Sequence, residues 1–250
     1  MSPSPEPRTP LARFIAGHSA ALRAAPDRNY VRLPDGGVEL LIRFTGDDVE
    51  VLAAGTRQRA FRKRVAEAAQ SLRLRFRPGG AYPFFGLPLS ELTDRFVSID
   101  RLWADGPHVR ERLAEVAPHE RLTLVEAALL ARLRGGAVFE PAGAPAVRRA
   151  LGLIAAAHEL PRVDALAQQL GVSARQLRRT FDAVVGVTPK TYLRVARFQR
   201  AVRRARSAAV RDWSVIATAA GYYDQAHLIA EFRDLAGMTP EALLRAEPDQ

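Results

Sequence analysis

The sequence predicts an α+β protein: a β-rich N-terminal domain with trailing helices, then an all-α domain of two helix-turn-helix units joined by a long helix. Three observations carry this expectation. Apolar residues alternate with period two in several early segments, they recur at helical spacing over the C-terminal part, and that helical part repeats itself at a shift of 51 residues. A chain of 250 residues, 48% apolar and 26% charged, has the length and composition of a globular protein of two ordinary domains.

In chain order, Met1 to Pro7 offers no apolar core for a secretory signal, and no uncharged apolar window reaches the 18 residues of a spanning helix. A cytoplasmic protein is expected. Val38 to Phe44, Glu50 to Ala54, and Leu72, Leu74 and Phe76 against Arg73, Arg75 and Arg77 read as half-buried strands. Turn residues separate them at Pro34-Asp35-Gly36-Gly37, Thr45-Gly46-Asp47-Asp48 and Pro78-Gly79-Gly80. His108 to Val116 and Glu120 to Arg134 carry helical spacing instead, the second with a stripe of Leu122, Val125, Leu129 and Leu130. The Gly- and Pro-rich run that follows has no periodicity. It sets the expected boundaries: a first domain at 1–134, a linker at 135–146, and a helical domain at 147–247 with units at about 162–185 and 213–235.

The repeat aligns Leu177-x3-Phe181-x4-Gly186-x-Thr188-Pro189 with Leu228-x3-Phe232-x4-Gly237-x-Thr239-Pro240. Upstream, Leu166-Ala167 and Gly171 match Ile216-Ala217 and Gly221 at a shift of 50, so the second copy has one extra residue in its turn. Each copy reads as a short helix, a glycine turn and a second helix. Val163, Leu166, Ala167 and Leu170 give the first short helix its apolar face, and Trp213 is expected to anchor the second unit as core. Ser173 and Asp224 are placed to cap the second helices, and Thr188-Pro189 to open the helix between the units. That helix, about 189 to 206, spans roughly 27 Å, which approaches the ~34 Å between successive major-groove faces on one side of a duplex.

The charge is concentrated in the same region. Residues 175 to 211 hold 11 Lys and Arg and a single acid, while the remaining residues hold 26 of each sign. Such a segment implies an anionic partner, and Arg, which supplies 35 of the 37 basic residues, has the forked donor suited to phosphate and guanine. Lys190, Arg194, Arg197, Arg200 and Arg204 on the connecting helix are the residues expected on DNA phosphate.

Catalytic chemistry finds no support. Motifs for acyl transfer, phosphate-loop, zinc-protease and dinucleotide chemistry are absent, and His119-Glu120 and His158-Glu159 have no partner His at metal spacing. Asp47, Asp48 and Glu50 read as a solvated turn. No catalytic residue, cofactor or metal is expected. With no cysteine, disulfides, thiolate metal sites and a methyl-accepting repair thiol are excluded. An alternative is a basic protein associated with DNA or with a membrane surface, without sequence-specific regulation. Association with a membrane needs a bulky apolar face on the cationic helix, which Ala196, Ala201 and Ala205 make thin.

The repeated units resemble the AraC/XylS-type family of bacterial transcription regulators over about residues 147 to 246. Ala217-x2-Ala220-Gly221-Tyr222-x-Asp224-Gln225-Ala226-His227-Leu228-x3-Phe232-Arg233 is close to the family's signature. The resemblance implies binding to double-stranded DNA, a second domain that senses a small-molecule effector or forms a homodimer, and contact with RNA polymerase in an activator. Carried across position by position, it implies base readout by Arg175, Gln176, Arg178 and Arg179, then by Gln225 and His227, with Ala226, Ile229 and Ala230 beside them. Arg to guanine and Gln to adenine are the expected pairings. His227 reads equally well as a buried, satisfied histidine. An Arg usually stands where Ala230 is, and Glu231 follows, so the second reading helix is expected to contribute less, with Glu231 repelling phosphate. The other reading of Glu231 is a pair with Arg233 or with an arginine of the connecting helix. Leu33-Pro34-Asp35-Gly36 and Arg75-Phe76-Arg77-Pro78-Gly79-Gly80 resemble N-terminal domains found on some members.

Overall fold

The period-two segments form the centre of an antiparallel sheet. The computed structural model describes residues 10–21, 28–65, 70–135, 140–208 and 211–246. The N-terminal signal reading and the middle of the expected linker lie outside the described residues. The strands are β1 (Ile15–Ala21), β2 (Arg28–Arg32), β3 (Glu39–Thr45), β4 (Asp48–Ala54), β5 (Phe61–Val65), β6 (Gln70–Phe76) and β7 (Phe96–Ser98). Five pair in the order β1-β6-β3-β4-β7, and β2 with β5 makes a separate ribbon. Leu40, Ile42 and Phe44 of β3 share the buried face with Val49, Val51 and Ala53 of β4 and Leu72, Leu74 and Phe76 of β6. A slip of one residue would turn this set toward solvent, so burial fixes the register Leu40↔Leu74 and Ile42↔Leu72.

Helices α1 (Tyr82–Phe85), α2 (Gly106–Glu115) and α3 (Arg121–Arg134) pack their apolar residues into the core on that face. The stripe on α3 is rotated from the expected one: Leu124, Val125 and Leu129 are buried, while Leu122 and Leu130 are half-buried at its margin. Cations help to cover the core, with the Arg121 guanidinium 3.6 Å from the Phe44 ring centroid and Arg132 3.8 Å from that of Trp103. The β2–β5 ribbon has no apolar alternation to announce it. Its root is held by Arg57, buried and lying 4.8 Å and 4.3 Å from the Phe61 and Phe96 ring centroids.

The remainder is helical: α4 (Ala144–Ala156), α5 (Val163–Gln169), α6 (Ala174–Val185), α7 (Pro189–Ser207), α8 (Trp213–Ala220), α9 (Gln225–Ala236) and α10 (Pro240–Arg245). α4 begins at Ala144, with Pro145 in its first turn, just inside the run expected as linker. Two cores form. The first gathers Val147, Leu151, Leu166, Leu177, Phe181 and Leu193; the second gathers Phe198, Val202, Ile216, Leu228, Phe232 and Leu243. α7 thus gives its first half to one unit and its second half to the other. Ala201 and Ala205, the thin apolar face considered for a membrane, are fully buried in the second core.

The β-rich part seats directly on these units. Gln199 Nε2 of α7 donates to the Pro34 carbonyl at 2.6 Å, and Thr56 Oγ1 donates to the Val185 carbonyl at 2.6 Å. Gly36, at φ 72°, lies against Tyr192, where a Cβ would stand 2.5 Å from a ring carbon. Any side chain there would lift the turn off α7.

Candidate DNA-binding interface

α6 forms because Ser173 Oγ accepts from the Gln176 N–H at 3.1 Å, and because Leu177, Phe181, Val184 and Val185 fall on one buried face. The other face is free. Arg175, Gln176, Arg178 and Arg179 are all exposed around Leu177. α9 repeats the design, with Asp224 Oδ1 accepting from the His227 N–H at 2.7 Å and Leu228, Phe232 and Leu235 buried. Gln225, Ala226, His227 and Ala230 are exposed, and Ile229 is half-buried against the second core. His227 is therefore a surface side chain rather than a core histidine, with its ring edge-on to Tyr222 at 5.3 Å. Trp213 is half-buried at the start of the second unit, 6.3 Å from the Phe232 ring.

The residues expected on phosphate divide into two groups. Lys190 and Arg204 are exposed on α7, as is Arg203. The other three are engaged within the protein. Arg194 binds Glu231 and Asp234, each at 2.5 Å. Arg197 lies 5.5 Å from the Tyr222 ring centroid, and Arg200 donates to the carbonyls of Ile154, Ala157 and His158, closing the C-terminal end of α4.

Glu231 is the clearest departure from expectation. It is 7% exposed, so it turns inward to Arg194 of α7 and presents no carboxylate to a phosphate. The reason lies in helix geometry: position 231 is three residues after Leu228 and falls on the inner face. Burial works against the Arg194 charge, but hydrogen bonds to the two carboxylates outweigh it and raise its pKa. The hydrogen bond from Arg194 also holds Asp234 below the usual carboxylate range. Burial, with the charge of Glu231, pushes the Tyr222 hydroxyl well up.

Three features were missed from sequence. Tyr223, next to the turn where the second copy gains a residue, is 90% exposed, and Val215 on α8 is 61% exposed. The insertion itself was the signal for Tyr223, because an extra residue beside a glycine turn has little room to point inward. A cavity of about 220 Å³ also lies where the sheet meets α7, lined in part by Asp35, Arg75, Tyr192, Gln199, Arg200 and Arg203. Burial and the Asp35 charge push the Tyr192 hydroxyl up to about 12. Among the described residues, no group of three or more His, Cys, Asp or Glu could hold a metal ion.

Two capped helix-turn-helix units on one shared helix, with a row of exposed guanidiniums on the first reading helix, define a double helix-turn-helix DNA-binding protein. Residues 166–246 match the family described as "Helix-turn-helix domain", and residues 4–98 match "Domain of unknown function (DUF6597)". Among solved structures, an AraC-type transcriptional regulator from Chromobacterium violaceum is 30% identical over 42% of this chain and 95% of its own, with a TM-score of 0.37. ToxT from Vibrio cholerae is 9% identical over 91% of this chain and 97% of its own, with a TM-score of 0.47. CdpR from Pseudomonas aeruginosa is 20% identical over 72% of this chain and 47% of its own, with a TM-score of 0.36. No curated protein matches. The chain belongs to the AraC-type family of transcription regulators, and it is a DNA-binding regulator. Among the described residues no helix is long and apolar enough to cross a membrane.

Proposed function

We propose that this protein is a sequence-specific regulator, not an enzyme, in which α6 and α9 enter adjacent major grooves. In this reading Arg175, Gln176, Arg178 and Arg179 read bases from the first helix and Gln225 and His227 from the second. The observation that carries it is the four exposed polar side chains around buried Leu177, a polar face open to solvent among the described residues. Lys190 and Arg204, with Arg203 and Arg206, are exposed cations of α7 suited to phosphate. Residues 1–134 act as the control domain, through a small-molecule effector or through homodimerisation, with 135–146 as linker and 147–247 as the DNA-binding domain. What supports an effector is the cavity between the sheet and α7: a ligand held by Asp35 or Arg75 and by Gln199 or Arg203 would touch both parts at once, and so could shift one against the other. RNA polymerase is the further partner if the protein activates.

Selection of duplexes from a random pool with the full chain, followed by salt titration, tests this reading. Two short conserved blocks and a fall in log K of ~0.9 per phosphate contacted are expected. Binding insensitive to salt, or a pool with no enriched sequence, would overturn it.

A further inference from the structure

The ends of the two reading helices are equivalent in the repeat and are also treated alike by the β-rich part of the chain. At the end of α6, Thr56 Oγ1 donates to the Val185 carbonyl at 2.6 Å and Thr93 Oγ1 donates to that of Gly186. At the end of α9, the Ala60 N–H donates to the Leu235 carbonyl at 2.7 Å and Arg62 Nη2 to that of Ala236 at 2.5 Å. Val185 and Ala236 are the same position of the repeat, 51 residues apart. Gly186 and Gly237, which follow them, both take left-handed backbone, at φ 91° and 67°. A Cβ on Gly186 would meet the Leu89 carbonyl at 2.9 Å and Thr93 Oγ1 at 3.0 Å, and one on Gly237 would meet the Arg62 guanidinium at 3.0 Å. The orphan carbonyls that close each reading helix are therefore satisfied in part from outside the helical units.

One stretch of chain, residues 56 to 62, reaches both ends, and it is firmly held. The Asp94 N–H donates to the Thr56 carbonyl at 3.0 Å, Arg57 Nη1 donates to the Asp94 carbonyl at 2.5 Å, and the Gln58 N–H donates to Asp94 Oδ1 at 3.0 Å. Arg59 extends the contact to Asp234 at 2.7 Å, the carboxylate that also binds Arg194 of α7. These bonds lie at the C-terminal ends of α6 and α9, about two turns from Arg178 and from His227, so the exposed reading faces stay clear.

We propose that residues 56–62 are a spacer strap: Thr56 and Arg62 are positioning residues that fix the distance and angle between the two reading helices, and so set which spacing of the two half-sites the protein accepts. α7 alone is a single helix with one unit at each half, and bending it would change that spacing. A strap pinned to the sheet and tied to both helix ends removes that freedom. It also makes the spacing depend on the β-rich part. This inference rests on the proposal that both units read DNA, and the two are tested by separate measurements.

The absence of cysteine from the sequence permits the first measurement directly. Nitroxides on Arg179→Cys and Ala230→Cys, exposed and equivalent in the repeat, report the inter-helix distance in the full chain without DNA. A narrow distance distribution is expected, and Thr56→Val with Arg62→Ala should broaden it at least about twofold in width, because the ordering contacts are lost. Thr56→Ser keeps the hydroxyl and should keep the narrow distribution. Arg59→Ala, at an exposed side chain, gives a milder broadening if the double variant does not fold. The second measurement uses a duplex selected by the chain without nitroxides, with one base pair inserted between the half-sites. Its binding should fall at least about tenfold for the wild-type protein, the scale of one misplaced base pair, and about threefold or less for the strap variants. A distribution in the variants as narrow as in wild type, or an unchanged insertion penalty, overturns the strap. A selection that yields a single half-site overturns two-unit reading instead, and the distances then still decide the strap.

Discussion

At the scale of single residues, what separates the arginines is whether the fold has already used them. Arg175 and Arg178 stand exposed on either side of buried Leu177. Either change to Ala should cost ~1–3 kcal/mol of DNA binding and relax preference at one base position, read by repeating the duplex selection. Uniform weakening across all duplexes would make them phosphate contacts. Lys190→Ala or Arg204→Ala should instead weaken all duplexes alike and reduce the salt slope by ~0.9. Glu231 behaves in the opposite way to a surface acid. Truncation to Ala leaves Arg194 without its buried partner, which costs roughly 3–5 kcal/mol in a fully buried pair and less here, where the Arg194 side chain is 38% exposed. Glu231→Lys should destabilise further, so thermal unfolding falls rather than DNA affinity rising. Asp234 supplies a pH dependence. Its folded pKa lies below its unfolded value of ~3.9, so its contribution is complete above that value and is lost as pH falls through the folded pKa. Asp234→Asn should flatten the acid side of a melting-temperature profile below about pH 4 and leave its slope at neutral pH unchanged.

At the scale of elements, the helices of the C-terminal part are set by capping and spacing that a reader of the sequence can see. Ser173, Thr188, Asp224 and Thr239 each accept the backbone N–H three residues on, which is why α6, α7, α9 and α10 start where the repeat places them. Asp224→Ala should cost ~1 kcal/mol in urea unfolding, with a matching loss of DNA affinity because the first turn of α9 carries Gln225 and His227. Asp224→Ser should restore both. The central strands were equally legible, since β3, β4 and β6 each bury alternate residues. The β2–β5 ribbon was not. Phe61-Arg62-Lys63 shows no alternation, and the ribbon is held by the Arg57 guanidinium between two rings and by Arg62 reaching α9. A local pattern cannot announce contacts made with residues more than 170 positions away.

At the scale of the whole molecule, the buried residues of the two helical cores all come from the helical part, with Tyr82 and Leu33 of the β-rich part packed against them, and a fragment beginning near Pro141 should fold and still bind DNA. It should melt below the full chain, because Tyr192, Val185 and Leu235 lose partners, and it should be less selective for half-site spacing. An unfolded fragment beside a stable full chain would show that the helical part depends on the sheet for its fold.

The sequence by itself determined the alternation, the repeat, the caps and the concentration of positive charge, because each is a property of neighbours within a few turns of chain. That was enough to identify two helix-turn-helix units and the exposed polar face of α6 that is proposed to meet DNA. The tertiary structure decided which charges remain free. Glu231 and Arg194 are 37 residues apart, and Arg200 reaches the end of α4 across more than 40, so neither pairing leaves a trace in spacing. It also decided that one short stretch, from Thr56 to Arg62, touches equivalent ends of both reading helices. That depends on where a rigid sheet is set down on two rigid units, and pairings between distant parts of a chain are fixed by the packing of all its cores together rather than by any local pattern.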